Sequence, residues 1–519
     1  MASEDKKAGI AWAGSLVGCK NPNAPTGYRY TSKRYRVNDD ASPNLPSNIQ
    51  VSFQNRQGTT LAETLDLPIN STIDDLNALV NQLNESADSN VPYSFYASLK
   101  ETADTPVESD LKSLFTKHDL STENVLVLTY QPLAIFRVRP VTRCTDTLQG
   151  HTDSVLHVSY SASGSWLASG GGDCCVRFWD VHTSTCQFKF SDVHKDHVLC
   201  TAWSPDATRF ASADKRGNLV IWNMASKPPA PQTISKAHSK HISSIAWEPL
   251  HVGTGERLAT ASKDCSVKIW NARTRKVQFT LSGHTDAVEA IKWGAEFLYS
   301  ASRDRTIKVW NPERGILVKT LVGHGHRVNT LALNCDSVLR CGPFDYKHTS
   351  YPNPESMRKA AKEKFEEFRE QHPHDVLVSG SDDFTLFLWH PTLSKHPIKR
   401  LTGHQQAVNH ISFSPDGRHF ASASFDKKIK IWNGVTGDFV QTLTGHVGAV
   451  YQVAWSADSR HLVTASKDST SKLWCIGKSK TAIHTLPGHA DEVYALDWSP
   501  TSGAVATGSK DRTIKIWKH

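Results

Sequence analysis

What the chain lacks narrows its class before any motif is read. Across 519 residues no run approaches the roughly 18 consecutive apolar residues that a membrane-spanning helix needs. The first residues, MASEDKKAGIAW, carry no apolar stretch followed by a small-residue cleavage site, so no secretory leader and no membrane partner are expected. Ten cysteines include no CxxC and no paired spacing, which argues against a zinc site or a disulfide framework and for a reducing compartment. No GxxxxGK[ST] loop is present to cradle phosphates, so ATP hydrolysis by this chain is not expected. Against these absences stand 39% hydrophobic residues and 21% charged ones, enough apolar material for a sizeable core and too much for a wholly disordered chain.

The formal charge of +8 is unevenly distributed. Residues 1–48 carry a net +3, residues 49–135 a net −8, and the remainder a net +13. An acidic module is therefore built onto a basic body, which suits that body to nucleic acid or a ribonucleoprotein surface while the module faces something else. Residues 1–48, rich in Asn, Pro, Gly and basic residues, read as a flexible basic arm whose KRYR segment could meet phosphate.

Beyond residue 145 the chain repeats itself. LSGHTDAVEAIKW, LTGHQQAVNHISFSPDG, LTGHVGAVYQVAWSAD and LPGHADEVYALDWSP are variants of one phrase. Aligned on their histidines, His151, His194, His238, His284, His324, His404, His446 and His489, the units recur every 40–46 residues except for one step of 80. Each unit ends in a tryptophan: Trp179, Trp222, Trp270, Trp310, Trp389, Trp432, Trp474 and Trp517. Ten residues before each Trp stands Ser or Thr (Ser169, Ser212, Thr260, Ser300, Ser379, Ser422, Thr464, Thr507). Six before stands Asp (Asp173, Asp264, Asp304, Asp383, Asp426, Asp468, Asp511), except for Arg216 in the second unit.

Such a quartet can form a buried polar relay, in which His bonds the Asp of a tight turn while Ser or Thr and the indole N–H extend the chain into the sheet. A Ser, His and Asp recurring eight times serve a scaffold rather than a single nucleophile. His194/His197 and His238/His241 have metal-like spacing, but the first of each pair is already used by the repeat. Arg216 removes the turn acceptor of the second unit, so a locally looser second unit is expected. This pattern resembles the WD-repeat family over about 370 residues, which implies an eight-bladed β-propeller over residues 143–519.

The chain stops two residues after the last Trp, and RCTDTL (143–148) matches the fourth-strand phase of VKTL and VQTL. The N-terminal strand is therefore expected to complete the eighth blade and protect the sheet edges. Two units carry extra chain between their first two strands: EPLHVGTGER in the third, and an insertion at about 336–375 in the fifth. The latter contains ESMRKAAKEKFEEFREQ, a charged helix with Phe365 and Phe368 on one side. Both fall on the face opposite the His/Asp turns, where a docking element or a surface excursion is expected.

Ahead of the repeats, NIQVSFQN and TTLAETLDLP read as a hairpin. There follow a helix capped by Thr72, with Leu76, Leu79, Val80 and Leu83 on one face, the strand VPYSFYASL, a short helix SDLKSLFTKH and the strand VLVLTY. This order over 49–130 resembles a ubiquitin-like β-grasp domain, joined to the repeats by a link at 131–142 that holds Pro132 and Pro140.

A module of that kind feeding an eight-unit propeller, with SDDFTLFLW (381–389), GHVGAVYQVAWSADSR (445–460) and GHADEVYALDWSP (488–500), resembles the Notchless family of large-subunit ribosome assembly factors. A sibling family joins a similar module to seven blades, and eight units favour Notchless. The resemblance implies a non-enzymatic adaptor of the nucleolus and nucleoplasm, monomeric within the pre-60S particle. Its propeller would sit on assembly factors and ribosomal RNA, while its module would bind the metal-ion-dependent adhesion domain of midasin, a giant AAA ATPase. A glutamate of the module completes the partner's metal coordination in that family. Glu123 in LSTENVLVLTY is the best match, with Glu108, Asp110 and Asp119 as rivals. No cofactor of the chain's own is implied, only Mg²⁺ or a similar ion shared at that interface, for which an exposed carboxylate is a suitable hard donor. Two other classes stay open: a substrate receptor in ubiquitin ligation or signalling, and an enzyme built on a non-repeated polar cluster in the central channel.

Overall fold

A computed structural model describes residues 47–519, apart from 56–59, 62–63, 84–92, 100–101, 108–110, 119–124, 133–137, 254, 347–348, 350, 352, 478–479 and 502. The chain divides near residue 131 into two compact units. Almost all of the expected basic arm lies outside the described residues.

The first unit runs β1 (Asn48–Gln54), β2 (Leu65–Pro68), α1 (Ile73–Leu83), β3 (Tyr93–Leu99), β4 (Thr102–Pro106), α2 (Leu111–His118) and β5 (Leu126–Pro132). Its sheet has the order β2-β1-β5-β3-β4, with β1 and β5 parallel at the centre. Strand alternation puts Ile49, Val51 and Phe53 of β1 on one face, where they are buried with Leu76 and Val80 of α1 and Phe95 of β3. The edge of the Phe53 ring meets the Phe95 ring at a centroid distance of 6.0 Å. At the start of α1 the Thr72 N–H and hydroxyl both donate to the Asp75 carboxylate (2.9 and 2.8 Å), and Asp75 N–H donates back to the Thr72 hydroxyl at 3.4 Å, a reciprocal cap at the expected residue. β4 carries no strand signal in the sequence, since TADTP has no apolar alternation, and it forms as an edge strand paired to β3.

The second unit consists of eight four-stranded antiparallel sheets. In seven of them four consecutive strands pair in chain order; in the eighth, three consecutive strands are completed by β6 (Arg143–Leu148), which pairs with Ile514–Lys518. The innermost strands touch in succession around the set, and Val493–Trp498 of the eighth sheet returns to Val155–Tyr160 of the first. The sheets thus close into a ring, consistent with a β-propeller. Every junction between neighbouring sheets has its own apolar core, such as Phe178 of the first sheet against Phe210 and Trp222 of the second. Each innermost strand also carries a bulge after its first residue, for example between Val155 and His157. A bulge adds local twist and re-aims one side chain. In three sheets the re-aimed residue donates to a backbone carbonyl of the next sheet: Ser243 to Val288 O, Asn329 to Val408 O (3.2 Å) and Asn409 to Tyr451 O (2.7 Å).

The link before β6 is partly absorbed into the ring. Val138 N–H donates to Asp458 (2.9 Å), Thr142 N–H to Lys518 O (3.0 Å), and Val141 is fully buried. The fifth-sheet insertion forms α3 (Asp336–Cys341) and α4 (Pro354–Gln371). Phe365 and Phe368 of α4 are buried together with Leu333 and Leu339, so the apolar side of the charged helix faces inward.

Candidate functional site

Seven of the quartets come together as the spacing requires, and the second departs from it. In the first sheet His151 Nδ1 lies 3.0 Å from Asp173, its Nε2 2.8 Å from Ser169 Oγ, and the Trp179 indole donates to that same oxygen at 2.9 Å. In the fourth, His284 is 2.7 Å from Asp304 and 2.8 Å from Ser300, and Trp310 donates at 2.8 Å. The sixth repeats it with His404, Asp426, Ser422 and Trp432 at 2.8, 2.8 and 2.9 Å. The seventh has His446, Asp468, Thr464 and Trp474 at 2.8, 2.7 and 3.1 Å. The eighth has His489, Asp511, Thr507 and Trp517, each contact 2.8 Å. The third and fifth sheets carry the same arrangement on His238 and His324.

Trp can only donate, so the hydroxyl accepts from the indole. When the hydroxyl in turn donates to His Nε2, Nδ1–H donates to the carboxylate and every group of the quartet has a partner. Burial alone would raise the Asp173 carboxyl, but bonds from His151, Thr152 N–H and Cys175 N–H outweigh it and hold the group down at about 2. Asp264 and Asp511 sit at about 2 for the same kind of reason. Burial lowers His238 and His489 from the usual imidazole range despite their carboxylate partners. Each relay is a satisfied internal clamp, with no free nucleophile.

The second sheet corrects an expectation. Arg216 does not leave its turn without an acceptor, because Asp214, two residues earlier, takes the place of the missing carboxylate. Asp214 is fully buried and lies 3.4 Å from His194 Nδ1. It also accepts from Arg216 N–H (2.9 Å) and Asn218 N–H (2.8 Å). Ser212 and Trp222 complete the relay at 2.7 and 2.9 Å. In the other seven turns the residue after the Asp is a non-glycine in the left-handed region; here Gly217 takes that place at φ 81°. A Cβ on Gly217 would meet His238 O and Lys240 O at 2.5 Å, so the relocated turn requires glycine. Arg216 is released to the surface, 62% exposed and 3.4 Å from Asp196.

The ring encloses a cavity of about 830 Å³ lined by the innermost strands of all eight sheets. Residues of α3 and α4 line it as well, so the fifth-sheet insertion lies over the channel rather than projecting as an excursion. Within it sits a polar cluster that does not repeat. Arg340 of α3 donates to Asp497 (2.8 Å) and to Tyr160 O (3.3 Å). His157 bonds Thr201 at 2.7 Å, and burial pulls it down to about 4 and His410 to about 3. No local pattern announces this cluster, since Arg340 and Asp497 are 157 residues apart. Glu123, Glu108, Asp110 and Asp119 lie outside the described residues, in the segments that precede and follow α2.

Comparison with known proteins agrees with this architecture. The WD domain, G-beta repeat family matches residues 142–180, 184–223, 230–271, 275–311, 395–433, 437–475 and 480–518. The unmatched stretch holds the first three strands of the fifth sheet, where the insertion interrupts the repeat. The NLE (NUC135) domain matches residues 49–109. A crystal structure of the computationally designed Ika8 protein superposes with a TM-score of 0.56 over 73% of this chain and all of its own, at 22% identity, a likeness of fold alone. The fold and its repeated relay thus define a WD-repeat protein. The Notchless protein homolog of Arabidopsis thaliana is 47% identical over 386 residues, 74% of this chain and 80% of its own. Ribosome assembly protein 4 of Saccharomyces cerevisiae is 40% identical over 76% of this chain and 79% of its own length, and Protein Notchless of Drosophila melanogaster is 40% identical over 74% and 78%. The chain belongs to the Notchless family.

Proposed function

We propose that the chain is a non-catalytic assembly factor of the large ribosomal subunit, built as a ubiquitin-like module on an eight-bladed propeller and working in the nucleolus and nucleoplasm. The observation that carries this reading is the match to yeast ribosome assembly protein 4 across three quarters of both chains, with an NLE domain and WD repeats in one polypeptide. The sheet order β2-β1-β5-β3-β4 with its central parallel pair supports the ubiquitin-like assignment. Eight satisfied relays leave the ring a scaffold, and the net +13 of the residues beyond 135 suits it to pre-60S surfaces rich in RNA phosphate.

In this reading residues 49–130 bind the adhesion domain of a midasin-type AAA ATPase, and Glu123 supplies an oxygen to the partner's Mg²⁺. A magnesium–oxygen bond of roughly 2.1 Å tolerates little displacement, so a carboxylate one methylene shorter cannot substitute. Pulling on the module would load β6, the strand that completes the eighth sheet, and pass the force to whatever the ring grips. The partner hydrolyses ATP; this chain transmits.

The test is capture of the full chain by the adhesion domain, with Mg²⁺ and with chelator, for wild type and Glu123→Asp. Magnesium-dependent capture lost in the variant is expected. Capture unchanged in the variant moves the contact to Glu108, Asp110 or Asp119, and no capture by the wild type overturns the adaptor reading.

A further inference from the structure

Where the ring closes, its integrity rests on pairing rather than on chain connectivity. The chain enters as β6 and runs through seven sheets before it forms the rest of the eighth, so β6 and Ile514–Lys518 are held together by the ladder between them and by the packing of Leu148 with Ile514 and Ile516, not by consecutive chain. If β6 separated, the three remaining strands of the eighth sheet would depend on their contact with the first.

At that contact Asp497 of the eighth sheet accepts the backbone N–H of Tyr160 of the first at 2.7 Å. Arg340 reaches the same spot from the fifth sheet, through the bond to Asp497 at 2.8 Å and that to Tyr160 O at 3.3 Å. One guanidinium thus touches both sides of the seam. Its base is firmly held: Asp336, at the start of α3, pairs with Lys292 of the fourth sheet (2.9 Å) and accepts from Leu333 N–H (3.0 Å). His251, in the extended loop of the third sheet, stacks on Phe365 of α4 at 3.8 Å, and His372 just after α4 bonds Asp416 O of the sixth sheet at 2.9 Å. The insertion is a strut anchored on the third, fourth and sixth sheets with its tip on the first and eighth. Asp497 is only 10% exposed, so removal of Arg340 would leave a nearly buried carboxylate short of its cation.

We infer that the fifth-sheet insertion is a cross-ring latch, in which Arg340 holds the first and eighth sheets together and closes the ring a second time, independently of β6. The latch needs no partner, and it stands whether or not the assembly role does. For a chain whose β6 is loaded, it would keep the seam from opening when the outer ladder is strained.

Hydrogen exchange of the full chain, compared among wild type, Arg340→Met, Asp497→Asn and the double variant, tests this. Loss of charge-assisted bonds at the seam should speed exchange of β6, Ile514–Lys518 and Val155–Tyr160 by about ten- to a hundredfold while the third and fourth sheets keep their protection. The double variant should be no worse than the more affected single one, since both remove the same contact. Asp497→Asn keeps an acceptor for Tyr160 N–H and carries the test if Arg340→Met does not fold. Unchanged seam protection, or an equal loss of protection in all eight sheets, would overturn the latch.

Discussion

The ring and the N-terminal unit handle polar groups in opposite ways. Each sheet of the ring buries a His, a hydroxyl and a carboxylate and satisfies them against one another and an indole, so what looks like catalytic chemistry is spent internally. Among the described residues, the N-terminal unit buries mainly Ile, Val, Leu and Phe, and its acids Asp66, Asp74 and Asp75 are exposed. Polar residues that recur eight times hold the fold, whereas a residue that occurs once, outside the register, is where function should be sought. Glu123 meets that criterion, Arg216 breaks the repeat from within its register, and Arg340 is a single residue that the latch assigns to the ring itself.

The largest effect should come from the non-repeated acid. Glu123→Asp should weaken capture by the adhesion domain at least about a hundredfold, as expected when a ligand oxygen is withdrawn from a metal, while thermal unfolding stays at the wild-type temperature. A variant that lost capture and stability together would place Glu123 with the structural residues and undo the contrast.

Next in size is the removal of one relay. Asp304→Ala leaves His284 Nδ1–H without its acceptor in a buried site and should cost about 3 kcal/mol, read from chemical denaturation. Partner capture by the folded variant should be unaffected. A loss under about 0.5 kcal/mol would show that the relays are dispensable to the scaffold.

Acid should weaken the ring before it weakens the N-terminal unit. His157 and His410 stand at about 4 and about 3 when folded, against 6.5 for a free imidazole. A group depressed in this way contributes its full stability above the free value and loses it as pH falls through the folded one. The relay histidines His238 and His489 shift in the same direction. Stability should therefore decline from about pH 6.5 downward, by about 2 kcal/mol for each of His157 and His410 and about 4 kcal/mol together at pH 5, before any relay carboxylate protonates. Asp497 opposes the His157 shift and Arg340 reinforces it, so loss of the latch cation should flatten this dependence. Denaturation midpoints measured from pH 7.5 to 4.5 would check the sign.

The repeat made the ring legible because its signals are local: a His, an Asp and a Trp at fixed offsets, and strands alternating between turns. The expected closing strand, 143–148, is β6 residue for residue. What sequence did not reveal is tertiary or weakly patterned. β4 is a polar edge strand that exists only because β3 offers it a partner. The charged helix was visible at 355–371, but its role was not, since the contact of Arg340 with Asp497 joins distant segments. For the N-terminal unit, Glu123 rests on resemblance, because one acid among several has no register to mark it.

The second sheet offers the finest test of the contrast, since its repeat is broken and mended two residues away. Asp214→Ala should destabilise the ring by about 2 kcal/mol, somewhat less than Asp304→Ala, because the His194 contact it removes is longer, 3.4 Å against 2.7 Å. Arg216→Ala should leave the melting temperature unchanged, its side chain being 62% exposed with one long contact to Asp196. That pair of outcomes would mean that the carboxylate kept the structural role when it moved, freeing position 216 for an outward-facing cation that the scaffold does not need. Equal losses from both substitutions would instead make Arg216 part of the clamp, and irregularity in the repeat would cease to be a guide to function here.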